Sequence, residues 1–192
     1  MTKSEKIKIL ESGLINQRTQ LNLFIDSDSS IAEIGVKEGD FFRFLIQNNP
    51  RLVYAIDCWD LFNKPSQDDA NEGHEKFKQI YDEFVLNFSQ PNVKIIKDFS
   101  PQCAINVEDN SLDFIYIDGD HTYDAVSQDI SAWWSKAKVG AIFAGHDYAE
   151  CSIEENAIEF GVIRAVDEFV LNNNLKLYII PDGRWKTWII VK

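Results

Sequence analysis

Long apolar runs are missing from this chain of 192 residues. Nothing in it approaches the roughly 20 consecutive apolar residues that a membrane-spanning helix requires, so no membrane segment is expected. Cysteine is scarce: Cys58, Cys103 and Cys151 form an odd, scattered set without a C-x-x-C pair. That argues against both a disulfide framework and a thiolate zinc site. Cations are outnumbered, 19 Lys and Arg against 31 Asp and Glu, for a net charge of −12. Such a chain repels phosphate backbones and offers no compensating basic stripe, so nucleic acid is not an expected partner. The N-terminal Met-Thr-Lys-Ser-Glu-Lys-Ile-Lys lacks the apolar stretch of a signal peptide, and a cytoplasmic protein is expected. Whether it forms a homo-oligomer is left open.

What is present is ordinary globular material, 45% hydrophobic and 26% charged, in a length that suits one domain over residues 1–192. Residues Ser4 to Ile25 carry apolar side chains at near-helical spacing, so residues 1–29 read as a helical extension of a core spanning 30–192. An alternation then begins. Strands are expected at Ile31–Ile34, Leu52–Ile56, Val93–Ile96, Leu112–Ile117 and Gly140–Ala144. Helices are expected at Asp40–Asn48, Glu75–Phe88, Ala125–Ala137 and Val162–Leu171, with a loop over Asn63–Gly73 and an N-cap at Ser100 before Pro101. Lys176–Ile180 and Trp185–Val191, joined through Pro181-Asp-Gly183, read as a hairpin. The expected fold is α/β: a doubly wound, mostly parallel sheet with a C-terminal antiparallel hairpin.

The strand endings carry the chemistry. Ile117-Asp-Gly-Asp-His-Thr-Tyr123 and Gly145-His-Asp-Tyr148 place Asp118, Asp120, His121, His146 and Asp147 at the ends of two neighbouring strands, holding two of the three histidines. The carboxyl rim of such a sheet is where ligands bind. The first strand runs into Glu33-x-Gly35-x-x-x-Gly39, with Lys37 where a dinucleotide fingerprint needs its second glycine. Asp57 follows 22 residues after Gly35 and can accept hydrogen bonds from both ribose hydroxyls; Asp98 ends the third strand. As residues alone, Asp118-Gly-Asp-His121 equally describes a tight turn with a helix cap, and the glycine loop a plain strand-to-helix turn. Trp59 is a candidate for stacking on a base or walling a pocket, whereas Trp133 and Trp134 read as core.

Together these motifs resemble the class I S-adenosylmethionine-dependent methyltransferases. The glycine loop is similar to that of the small cation-dependent O-methyltransferases, and the later block, through Gly161-Val-Ile-Arg-Ala-Val-Asp-Glu-Phe169, to a small bacterial subgroup. The resemblance covers residues 30–192 and implies a Rossmann-like seven-stranded sheet. It places Glu33, Gly35 and Gly39 around the methionine part of S-adenosylmethionine, Asp57 on the ribose and Asp98 on the adenine amine. It also places Asp118 at the cofactor and, with His146 and Asp147, at a divalent cation (Mg, Mn or Fe). The cation-dependent relatives carry an Asp-Asp or Asp-Asn pair where His146-Asp147 stands. His121 falls where those relatives hold a lysine base, and an imidazole titrating near about 6.5 suits proton removal at neutral pH. The expected activity is methyl transfer to a small-molecule acceptor, with oxygen favoured. Two alternatives stand beside it: a metal-dependent oxygenase or hydrolase using Asp118, His121 and His146, and a non-catalytic nucleotide-binding module.

Overall fold

A computed structural model describes residues 1–61, 73–150 and 160–192. The loop expected over Asn63–Gly73, apart from Gly73 itself, and Cys151 therefore lie outside the described residues. Seven strands form one sheet: β1 (Ser30–Ile34), β2 (Leu52–Asp57), β3 (Val93–Lys97), β4 (Leu112–Ile117), β5 (Ala137–Tyr148), β6 (Leu177–Ile180) and β7 (Lys186–Val191). Their order is β3-β2-β1-β4-β5-β7-β6, parallel from β3 to β5, with β7 antiparallel to both of its neighbours. The doubly wound sheet with a C-terminal antiparallel hairpin is as the alternation predicts. Among the described residues, no helix is long and apolar enough to cross a membrane.

Period-two alternation sends residues of one strand to two cores. On one face, Ile31, Val53, Ala55, Phe114 and Tyr116 meet α2 (Phe42–Leu45), α3 (Gly73–Asn87) and the N-terminal segment. On the other, Ala32, Ile34, Ile115 and Ile117 meet α4 (Ser100–Cys103), α5 (Tyr123–Trp134) and α6 (Val162–Asn172). Trp133 is fully buried, as expected of a core residue; Trp188 is buried too, and Trp185 packs on Phe160.

Several local expectations change, among them the helix expected over Asp40–Asn48, which is only Phe42–Leu45, and the one expected to reach Ala137, which ends at Trp134. The N-terminal segment is not one helix: α1 (Lys3–Glu11) stops at Ser12, whose hydroxyl donates to the Ile9 carbonyl and accepts from the Leu14 amide. Gly13 then turns the chain at φ +70°, and a 3-10 turn over Arg18–Phe24 begins afresh after Gln17, with the Gln20 side chain accepting from the Asn16 and Gln17 amides. Ser100 is the first residue of α4, and its cap is Phe99; the Ser100 hydroxyl instead accepts from Trp133 Nε1 at 2.8 Å. β5 is more than twice the expected length, and carries His146 and Asp147 within it.

Candidate functional site

The carboxyl ends of β1, β2, β3 and β4 open onto a cleft of about 680 Å³. Glu33, Gly35, Asp57, Trp59, Asp98, Asp118, His121 and Asp147 all line it, so most of the residues singled out by sequence converge there.

Gly35 earns its place by crowding. A Cβ on it would sit 2.0 Å from the Asp118 carbonyl oxygen, and its φ is +83°, which an L side chain rarely adopts. The close approach lets the Asp118 amide donate to the Ile34 carbonyl at 2.7 Å, fastening the ends of β1 and β4 together. Gly39 stands between Glu38 and Asp40, which line the cleft. It also has φ +83°, but an added Cβ would meet the Phe84 and Phe88 rings, and it lies outside the cleft lining. Its missing side chain admits this aromatic packing.

Asp57 organises the loops on either side of it. Its Oδ2 accepts from the Lys37 amide at 2.9 Å and its Oδ1 from the Trp59 amide at 2.7 Å. A carboxylate offers about four lone-pair sites, and both oxygens of Asp57 face these loop amides at the cleft. Trp59 is only 1% exposed, packs on Tyr81 and Phe84, and donates from Nε1 to the Lys37 carbonyl. It is a buried wall of the cleft and not an open stacking platform. Asp98 accepts from the Phe99 amide, while its own amide donates to the Asp57 carbonyl.

Glu33 is buried on β1, and its Oε2 has no hydrogen-bond partner among the described residues. Burial, reinforced by the nearby Asp118, pushes its carboxyl well above the usual range, against the pull of Arg18. Arg18 is a residue the sequence did not point to. Its Nη1 lies 3.1 Å from Asp118 Oδ2, its guanidinium stands over the Phe41 ring, and its backbone amide donates to Asp182 on the β6–β7 loop. A second such residue is Asp129 on α5, which lines the cleft and is bonded to Ser100; burial raises it to about 6.

Consecutive strand residues normally point to opposite faces, yet His146 and Asp147 reach the same cluster. The register of β5 against β7 shifts between Gly145 and Tyr148, and Asp147 takes a left-handed φ of +57° in this bulge. His121 Nε2 then lies 2.9 Å from Asp147 Oδ2, and His146 Nδ1 lies 3.2 Å from the same oxygen. Burial opposes ionisation of Asp147, but the hydrogen bonds from both imidazoles hold its carboxyl below the usual range. Asp118 goes the other way, raised by burial to about 6 despite His146. His121 is held from two further sides: its carbonyl accepts from the Gly161 amide at 2.8 Å, and its ring packs on Phe160. Gly161 can come so close because a Cβ there would collide with Tyr123 backbone. Ligand atoms of Asp118, His121 and Asp147 lie within 4.8 Å of one another, and His146 Nδ1 lies 3.8 Å from Asp118 Oδ1, so both imidazoles face the two carboxylates.

Comparison with known proteins gives the fold its context. An uncharacterized protein of Acanthamoeba polyphaga mimivirus is 26% identical over 133 residues, covering 67% of this chain. The match covers 56% of that relative, so this chain spans little more than half of its length. A SAM-dependent methyltransferase from Aquifex aeolicus superposes with a TM-score of 0.61 at 16% identity, covering 100% of this chain and 98% of that one. A proposed methyltransferase from Streptococcus mutans, solved in complex with SAH, gives 0.62 at 14% identity, covering 91% and 95%. At these identities the two structures share the fold. The family model described as a methyltransferase domain matches residues 32–148, well over half of the chain, and the protein belongs to that methyltransferase family.

Proposed function

We propose that this protein transfers the methyl group of S-adenosylmethionine to a hydroxyl oxygen of a small-molecule acceptor, with His121 as general base. The observation that carries the reading is the His121–Asp147 pair, 2.9 Å apart, on the rim of the same cleft that Gly35 and Asp57 line. Asp57 takes the ribose hydroxyls, Glu33 and Gly35 bound the methionine part, and Asp98 faces the base. Methyl transfer is an in-line displacement at the sulfonium, so the chain's tasks are alignment and proton removal. Asp147, accepting from Nε2, fixes the orientation of the His121 ring and stabilises the imidazolium that forms. The net charge of −12 favours a small acceptor over a nucleic acid.

The donor set of Asp118, His121 and Asp147 also fits a divalent cation of the Mg, Mn or Fe type. Such an ion would lower the pKa of an acceptor hydroxyl. On this donor set His121 would be a ligand and could not also serve as the base, so the two readings exclude each other. Methyl transfer from radiolabelled S-adenosylmethionine to a panel of small hydroxylated compounds decides between them. Under the base reading His121→Ala lowers kcat about 100-fold or more, leaves S-adenosylhomocysteine affinity intact, and chelation has no effect. Wild-type turnover by His121→Ala would sink it; turnover lost on chelation and restored by Mg, Mn or Fe would favour the cation.

A further inference from the structure

The matched methyltransferase domain begins at residue 32, yet one of the charged groups in the cleft comes from before it. Arg18 reaches the ends of β1 and β4 from the 3-10 turn, in a chain where acids outnumber bases by 31 to 19. Its known contacts are Asp118 Oδ2 at 3.1 Å, the Tyr116 hydroxyl and the face of Phe41. A guanidinium has five N–H donors in a planar fork, and Arg18, whose side chain is 28% exposed, lines the cleft. Beside it lies the buried Glu33 carboxyl, with Oε2 lacking a partner among the described residues. A cation with donors to spare and an acid with an acceptor to spare, side by side, match the two ends of an α-amino acid. The carboxylate pairs with the fork and the ammonium with the acid.

We infer that Arg18 is a specificity residue that binds the α-carboxylate of the cofactor's methionine moiety, with Glu33 receiving the α-ammonium. The inference rests on the cofactor reading above. It makes the segment before residue 30 part of the binding site, and it ties that segment to the β6–β7 loop, since Asp182 accepts from the Arg18 amide at 2.9 Å.

The test uses two nucleosides that differ in the amino-acid portion. S-Adenosylhomocysteine carries it; 5′-methylthioadenosine keeps the adenosine and the thioether and lacks it. Calorimetric titration of wild type, Arg18→Gln and Arg18→Lys is compared, with thermal unfolding recorded for each variant. Arg18→Gln is expected to weaken S-adenosylhomocysteine about ten- to a hundredfold and to leave 5′-methylthioadenosine within about twofold, with Arg18→Lys intermediate. Equal weakening of both nucleosides in a folded variant would show a merely structural arginine and overturn the inference, as would no weakening of either. If Arg18→Gln does not fold, the same comparison is read from Arg18→Lys, where equal effects on the two nucleosides again overturn it. Wild type binding neither nucleoside is a different failure, that of the cofactor reading itself.

Discussion

Replacing Gly35 with alanine places a methyl group 2.0 Å from the Asp118 carbonyl oxygen and 2.4 Å from its carbon, both backbone atoms that cannot swing aside. The residue must also keep φ +83°, a left-handed conformation costing an L residue about 1–2 kcal/mol. To admit the methyl group, the ends of β1 and β4 must separate. That breaks the bond from the Asp118 amide to the Ile34 carbonyl, 2.7 Å, and, as the end of β1 shifts, disrupts the bond on its other side from the Gly35 amide to the Ile56 carbonyl of β2, 2.8 Å. At about 1 kcal/mol net for each bond, the loss totals about 3–4 kcal/mol. For a domain of this size the melting temperature falls by about 10 °C. Gly183→Ala is the matched control, with φ +71° and nothing within 4 Å of the new atom, so it carries the backbone cost alone. Urea unfolding of both variants isolates the contact: Gly35→Ala is expected to be worse by about 2 kcal/mol. Equal destabilisation would refute the close approach of β1 and β4.

Other consequences follow from the buried charges. Asp129 is raised from its ordinary 3.8 to about 6 by burial, against the Ser100 hydrogen bond and with help from Asp120. Its protonated form therefore favours the folded state below about pH 4, and that contribution is lost as pH rises through about 6, worth about 3 kcal/mol. Asp129→Asn should flatten stability between pH 4 and 6 and raise the urea midpoint at pH 8; an unchanged slope would contradict this. Asp147→Asn removes the negative charge that both imidazoles share, so kcat is expected to fall while S-adenosylhomocysteine binding stays the same. A loss of cofactor binding in that variant would show Asp147 acting elsewhere.

Most of the fold was legible because strand and helix periodicities are local, and β4, Leu112–Ile117, has the bounds its apolar run predicts. Asp57 and Asp118 were legible for the same reason: an acid directly after a parallel strand has one rim to occupy. β5 was underestimated because bulges carry no period, and its polar end pairs with β7 only through a shifted register. The packing of Gly39 against the rings of Phe84 and Phe88 was not legible, because a positive-φ glycine looks the same in sequence whatever it faces. Arg18 carried no local signal. Its partner Asp118 is 100 residues away, and the break at Gly13 that redirects the chain interrupts an apolar spacing that reads as one continuous helix.

The central claim is that the cleft holds S-adenosylmethionine through Asp57, and calorimetry with S-adenosylhomocysteine and NAD side by side tests it most directly. Saturable one-to-one binding of S-adenosylhomocysteine is expected, weakened at least tenfold by Asp57→Ala, with no heat from NAD. Binding of NAD alone, or S-adenosylhomocysteine binding untouched by Asp57→Ala, would contradict it.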